Sequence, residues 1–267
     1  MDTSLCPSAA TARLTVVLWM AVALADLQTS AGSDQHPLPA SQRAKLRESL
    51  EQTIGEATLA VKRDAKSSDD YSRRGDAYFF LGRFEEAVAD YDKMVELDAS
   101  VEKSHWRRGI AYFYAGRYEQ AARQFEVYDT VDRVDRENGI WRFFSQAKAH
   151  GFGKARESLL KYKKDDREPF PSVYKLFADE ITPAEILDLI NDAQLNDAER
   201  EKRLFYAHLY IGLNHAVRDE RQPALEHLRK AVANKWAPKA GFGPSYMWHV
   251  GRLHFELLTN ATAASSE

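Results

Sequence analysis

Residues Arg73–Asp98 read RRGDAYFFLGRFEEAVADYDKMVELD, and residues Arg107–Asp132 read RRGIAYFYAGRYEQAARQFEVYDTVD. At a shift of 34 positions, Gly75 falls on Gly109, Ala77 on Ala111, Tyr78 on Tyr112 and Phe79 on Phe113. Gly82 then falls on Gly116, Ala87 on Ala121 and Tyr91 on Phe125. Chance does not produce this many matches at one offset. Self-similarity at such a period marks a stack of short supersecondary units, each too small to bury its own apolar face. The residue types specify the unit. Gly75, Ala77 and Ala87 are small where two helices of one hairpin must approach closely, while Tyr78, Phe84 and Tyr91 fill the remaining space. Gly82 ends the first helix, because glycine accepts the left-handed conformation of a C-terminal cap.

These strings resemble the tetratricopeptide repeat, a helix–turn–helix unit of about 34 residues. The chain departs from that pattern at Tyr71 and His105 for its early tryptophan, Arg74 and Arg108 for its leucine, and Ala99 and Arg133 for its late proline. The expected fold is all-α: a right-handed α-solenoid of such hairpins with flanking capping helices. Full units are expected over 68–101 and 102–135. A degenerate unit over 136–169 keeps Ala155 and Leu159 but carries Phe143 and Gln146 where glycine and tyrosine belong. Residues 170–204 form a connector in which Thr182-Pro183-Ala184-Glu185 starts a helix. A late unit over 205–238 carries Gly212, Ala224, Leu228 and Ala231 at the repeat spacing. Residues 41–67 supply an amphipathic N-terminal cap, with Leu46, Leu50, Ile54, Ala57 and Val61 on one face. Residues 239–267 supply a C-terminal capping helix and a polar tail.

The N-terminus carries a different signal. Arg13 precedes an apolar run from Leu14 to Ala25, and Asp26 follows it. Such a run spans roughly 18 Å as a helix, short of the ~30 Å hydrocarbon core of a bilayer. It ends in Ala23-Leu24-Ala25, the small-x-small pattern that a signal peptidase accepts. Residues 1–25 therefore read as a secretory signal peptide, and 26–40 as a flexible lead-in. Cleavage would remove Cys6, the one cysteine, leaving neither a disulfide nor a thiol nucleophile. An exported chain, periplasmic or secreted and without stable membrane insertion after cleavage, is expected, with an uncleaved membrane anchor as the alternative reading of the same run.

The chain has 267 residues, 44% hydrophobic and 29% charged, with a formal net charge of −3, which excludes global disorder. The near balance of 37 basic and 40 acidic residues argues against nucleic acid as partner. No metal site is expected. His249 and His254 are five residues apart; His208 and His215 are about two helical turns apart, so they can share a face but stand too far apart for one ion. No phosphate-cradling or nucleophile-elbow motif occurs, so no cofactor and no catalytic residue is assigned.

Binding residues follow from the resemblance, which places positions two, five, nine, twelve and thirteen of each unit on the concave face. Those are Asp69, Ser72, Asp76, Phe79 and Phe80, then Lys103, Trp106, Ile110, Phe113 and Tyr114. Phe80 and Tyr114 are expected to pack between repeats. That leaves Asp69, Ser72, Asp76, Phe79, Lys103, Trp106, Ile110 and Phe113 as candidate partner contacts. The family's carboxylate clamp needs lysine at position five and asparagine at nine, which Ser72 and Asp76 do not supply. Aromatic residues dominate interface hot spots, so Trp106 and Phe113 lead. More widely, the layout resembles the NlpI-like tetratricopeptide proteins of bacterial envelopes. That resemblance implies an envelope adaptor that brings hydrolases or proteases to their targets. The expected function is a non-enzymatic scaffold binding other proteins or peptide segments through its concave face, with a structural subunit of a homo-oligomer or larger envelope assembly as the alternative.

Overall fold

The computed structural model describes Met1, residues 36–164 and residues 166–265; the expected signal peptide and most of the lead-in lie outside the described residues. Among the described residues there is no strand. Helix α1 spans Ala40–Arg63 and is followed by the hairpins α2 (Ser68–Phe80) with α3 (Phe84–Leu97) and α4 (Trp106–Tyr114) with α5 (Tyr118–Tyr128). Next come α6 (Arg136–His150), α7 (Phe152–Glu157), α8 (Phe170–Lys175) and α9 (Pro183–Asp192). The late hairpin is α10 (Asp197–Val217) with α11 (Arg221–Ala233), and α12 (Phe242–Ser265) ends the chain. This is an all-α helical repeat solenoid.

One close contact, repeated in three hairpins, explains the periodic glycines. A Cβ on Gly75 would lie 2.8 Å from Tyr91 Cε1, one on Gly109 2.6 Å from Phe125 Cζ, and one on Gly212 2.8 Å from Leu228 Cγ. Each partner sits 16 residues later, on the second helix, so the missing side chain sets the helix spacing. The turns are also shared. Gly82 and Gly116 take φ of 76° and 74°, and the N–H of Arg83 and Arg117 reaches back to the carbonyl of Tyr78 and Tyr112. Asp219 occupies the equivalent place in the late hairpin at φ 62°.

The degenerate unit fails where its sequence departs. Phe143 stands in the glycine's place, and its buried ring packs on Phe144, Phe152 and Phe177 instead of admitting a second helix. Helix α7 accordingly stops at Glu157. The close approach moves one turn back to Gly139, whose bare backbone admits the Tyr162 hydroxyl and the Tyr174 ring. Tyr162 and Tyr174 thus lie on α6 where a repeat helix would have been.

Helix α12 departs from the expected end cap. It packs beside α11, but it also crosses back to the first repeats. Tyr246 stacks on Phe79 at 5.2 Å, His249 stacks on Phe80 at 3.9 Å, and His254 Nδ1 lies 3.0 Å from the Tyr114 hydroxyl. The last helix fills the concavity of the first two hairpins. Among the described residues no helix is long and apolar enough to cross a membrane.

Candidate functional site

The crossing of α12 redistributes the candidate contacts. Asp69 and Lys103 remain exposed, on the first turn of α2 and in the 3-10 turn Ala99–Ser104. Ser72 and Asp76 are joined to the next repeat, since Arg107 Nη1 donates to the Ser72 hydroxyl at 3.0 Å and to both Asp76 oxygens at 2.7 and 2.8 Å. Asp76 also accepts from the Tyr91 hydroxyl at 2.6 Å. Its polar capacity serves the clasp between repeats. Phe79 has no exposed surface, lying between Phe84, Tyr114 and Tyr246, and Phe113 is buried against Tyr118 and Trp141. These two are core residues, which corrects the expectation that they face a partner. The physical reason is that neighbouring helices, α12 for Phe79 and α6 for Phe113, occupy the space an open groove would leave.

Trp106 and Ile110 meet a different environment. Both border a cleft of about 390 Å³, but only Trp106 offers surface to it; Ile110 is 1% exposed and, like Phe113, is a core residue and not the partner contact expected. Helix α6 adds Glu137, Asn138 and Trp141 to its wall, and α10 adds Lys202 and Tyr206. Trp236, Pro244 and Met247 close the far side, with Tyr128, Asp135 and Arg167 at the remaining edge. Its volume lies in the range of small-ligand sites, about 300–1,000 Å³. Five aromatic side chains face it. Trp106 is held in place by Tyr246, ring centroids 4.9 Å apart and nearly perpendicular.

The polar edge is organised around one guanidinium. Arg167 pairs with Asp166 at 3.3 Å and Asp135 at 3.5 Å, and donates to Glu137 Oε2. Its guanidinium lies 4.3 Å over the Phe170 ring. Asp135 caps α6, accepting from the Glu137 N–H at 3.0 Å and from Asn138 at 2.6 Å. Glu137 also accepts from the Tyr210 hydroxyl. Burial pushes the Glu137 carboxyl up to about 7, and the Asp135 and Asp166 charges add to this against the pull of Arg167. Burial likewise raises Asp135. Lys202 is paired with Glu199 at 2.8 Å.

Glu137, Arg167, Tyr206 and Trp236 are not among the residues the sequence singles out. A signal for two of them exists: Glu137 and Tyr206 occupy position two of the degenerate and late units. Arg167 and Trp236 both fall at position 32 of those units, in the irregular stretch after the second-helix segment, for which the concave-face positions give no assignment. Elsewhere, His208 and His227 meet with Nδ1 atoms 3.0 Å apart. Among the described residues no group of three or more histidine, cysteine or acidic side chains is placed to hold a metal ion.

A family model described as TPR repeat matches residues 75–116, from the middle of α2 through α4 and its terminal glycine. Repeats of this kind mediate protein–protein interaction and are not themselves catalytic. A comparison with curated proteins gave no match.

Proposed function

We propose that the protein is an exported, non-enzymatic scaffold that binds a segment of another protein, and that the inner cleft is where the segment docks. The observation that carries this reading is the convergence of the partly exposed Trp106 and Trp236 on one partly open cavity, backed by the buried rings of Trp141 and Tyr206. Large rigid aromatic rings give much contact area at little ordering cost, and interface hot spots concentrate in such pockets. The walls come from the second hairpin, from α6, from α10, and from α12 with the connection before it, so the cleft is pre-formed by the stacking of the solenoid. The resemblance to envelope adaptors, and the apolar leader ending in Ala23-Leu24-Ala25, support placing this scaffold outside the cytoplasm.

Capture from the source organism's envelope fraction tests the reading. The mature chain should retain one or more proteins that Trp236→Ala and Trp106→Ala release, while both variants keep a helical circular dichroism spectrum. Equal capture by all three forms would move the binding surface away from the cleft. Mass spectrometry of the native protein should find Asp26 as its first residue, and an intact Met1 would refute export by cleavage.

A further inference from the structure

We infer that the inner cleft accepts a basic side chain, that of a lysine in an extended partner segment, with its ammonium group at the Asp135–Glu137 edge and its stem against the aromatic wall. This rests on the cleft being the docking site, and it names the chemistry of what docks.

Cavity shape and charge together lead to it. An aromatic ring presents a negative face, so several rings around one cavity favour a cation over an anion. The cleft has Trp106, Tyr206 and Trp236 on its apolar sides and two carboxylates at one edge. Asp135, Glu137 and Asp166 share a single guanidinium, that of Arg167. The neighbouring Arg136 guanidinium lies 4.9 Å over the Tyr162 ring. Lys202, the other cation in the wall, is neutralised by Glu199. Among the described residues, the ion pairs around Arg167 set Asp135, Glu137 and Asp166 against its one guanidinium, an excess of carboxylate in this cluster.

The chain itself shows what this environment holds. Arg167 already sits with carboxylates on one side and the Phe170 and Tyr206 rings on the other. A second cation entering the cavity would meet the same two kinds of partner. Burial is the main cause of the raised Glu137 carboxyl, and the Asp135 and Asp166 charges beside it add to the rise against the pull of Arg167. A lysine suits the opening because its stem is long and apolar while its charge is compact.

The test uses three capped pentapeptides identical except at the central residue, which is lysine, norleucine or glutamate. Norleucine keeps the lysine stem and removes the charge. Binding is read from intrinsic fluorescence, since Trp106, Trp141 and Trp236 line the cleft. The lysine peptide should bind about tenfold or more tighter than the norleucine peptide, and the glutamate peptide weakest. Glu137→Gln should erase the lysine advantage, bringing the lysine peptide to the affinity of the norleucine peptide in the same variant. Should that variant misfold, the wild-type chain still decides. Lysine affinity should rise as Glu137 ionises, through the pH interval around 7, while norleucine affinity stays flat. Equal binding of lysine and norleucine would overturn the inference and leave the docking site standing. Tightest binding of the glutamate peptide would overturn it in favour of recognition by Arg167 and Lys202. No binding of any peptide would overturn both.

Discussion

The His249 imidazole lies flat on the Phe80 ring, centroids 3.9 Å apart and planes inclined by 16°. One pair of side chains thereby ties the last helix to the first repeat, across most of the chain. Burial drives the His249 pKa down to about 3, and Arg252 nearby adds to the effect. His254, on the same helix and against Tyr114, is lowered to about 4 by burial and by Lys148. Both rings are neutral in the fold, although an unfolded histidine titrates near 6.5.

The sign of the pH dependence follows. A group whose folded pKa is depressed loses its stabilisation as pH falls from the unfolded value toward the folded one. Each neutral histidine steepens that loss by up to ~1.4 kcal/mol per pH unit. His249→Phe keeps the stack on Phe80 and removes the titration. Urea unfolding between about pH 6 and 4 should show a shallower loss in this variant, by close to one proton. An unchanged slope would mean that His249 is already protonated in the fold.

Glu137 acts in the opposite direction. Its folded pKa of about 7 lies above the ordinary 4.5, so its contribution is present below the unfolded value and is lost as pH rises through 7. Its oxygens face Arg167 and Tyr210, with Asp135 and Asp166 close by. Glu137→Gln should flatten the stability profile between about pH 5 and 8, a window in which the histidines no longer dominate above ~6.5. Retention of the wild-type profile would place the carboxylate fully ionised within the fold.

Arg74 and Arg108 stand where the repeat pattern has leucine, and the structure supplies the reason. Arg74 forms a two-pronged pair with Asp90 at 2.7 and 2.8 Å, and Asp90 is only 4% exposed. One repeat later Arg108 reaches Gln124, at the place of Asp90, and Asp92. Removing one member of such a pair strands the other, at ~3–5 kcal/mol, whereas replacing both with apolar residues is often nearly neutral. Asp90→Leu should therefore destabilise more than the double variant Arg74→Leu with Asp90→Leu. Simple additivity in denaturant unfolding would show that the pair contributes nothing as a pair.

The hairpins are legible in the sequence because their determinants are local and periodic: Gly75 and Gly109 recur, and each partner follows at a fixed 16 positions. The path of α12 is not legible. Tyr246 and Phe79 are far apart in the chain, and an apolar stripe on a terminal helix says only that it packs somewhere. The same limitation hides most of the cleft. Trp106 sits at a concave-face position, but Arg167 and Trp236 fall in the irregular ends of their units, for which the repeat pattern assigns no face. Phe113 shows the converse error, since a concave-face register does not reveal that Trp141 covers it.

The glycine contacts give a test of local packing. Gly109→Ala gains ~1 kcal/mol of helix propensity, but the new methyl would stand 2.6 Å from the fully buried Phe125 ring. Overpacking of this kind costs ~1–3 kcal/mol, so the net change should be destabilising. Gly55, in α1, has open space where an alanine methyl would stand, with nothing within 4 Å. Gly55→Ala should raise the melting temperature by the propensity term alone. Parallel shifts of the two variants would remove the helix-spacing role assigned to Gly109.

Trp106 and Phe113 separate binding from folding most directly. Phe113 is 7% exposed and packs on Trp141, so Phe113→Ala opens a cavity and should cost ~3–5 kcal/mol of stability. Trp106 is half-buried, with one face against Tyr246 and the other on the cleft. Its truncation should cost less stability than that of Phe113, yet weaken partner binding by more than ~1 kcal/mol if it is a hot spot. Ala87→Leu, which overpacks a fully buried helix contact, supplies a purely structural reference at ~1–3 kcal/mol. Thermal melts and partner titrations of the three variants give two independent orderings. Phe113→Ala should melt lowest, and Trp106→Ala should bind weakest among proteins measured well below their melting temperatures. If Trp106→Ala instead melts as low as Phe113→Ala and binds like the wild type, the tryptophan is a core residue and the cleft loses its principal aromatic wall.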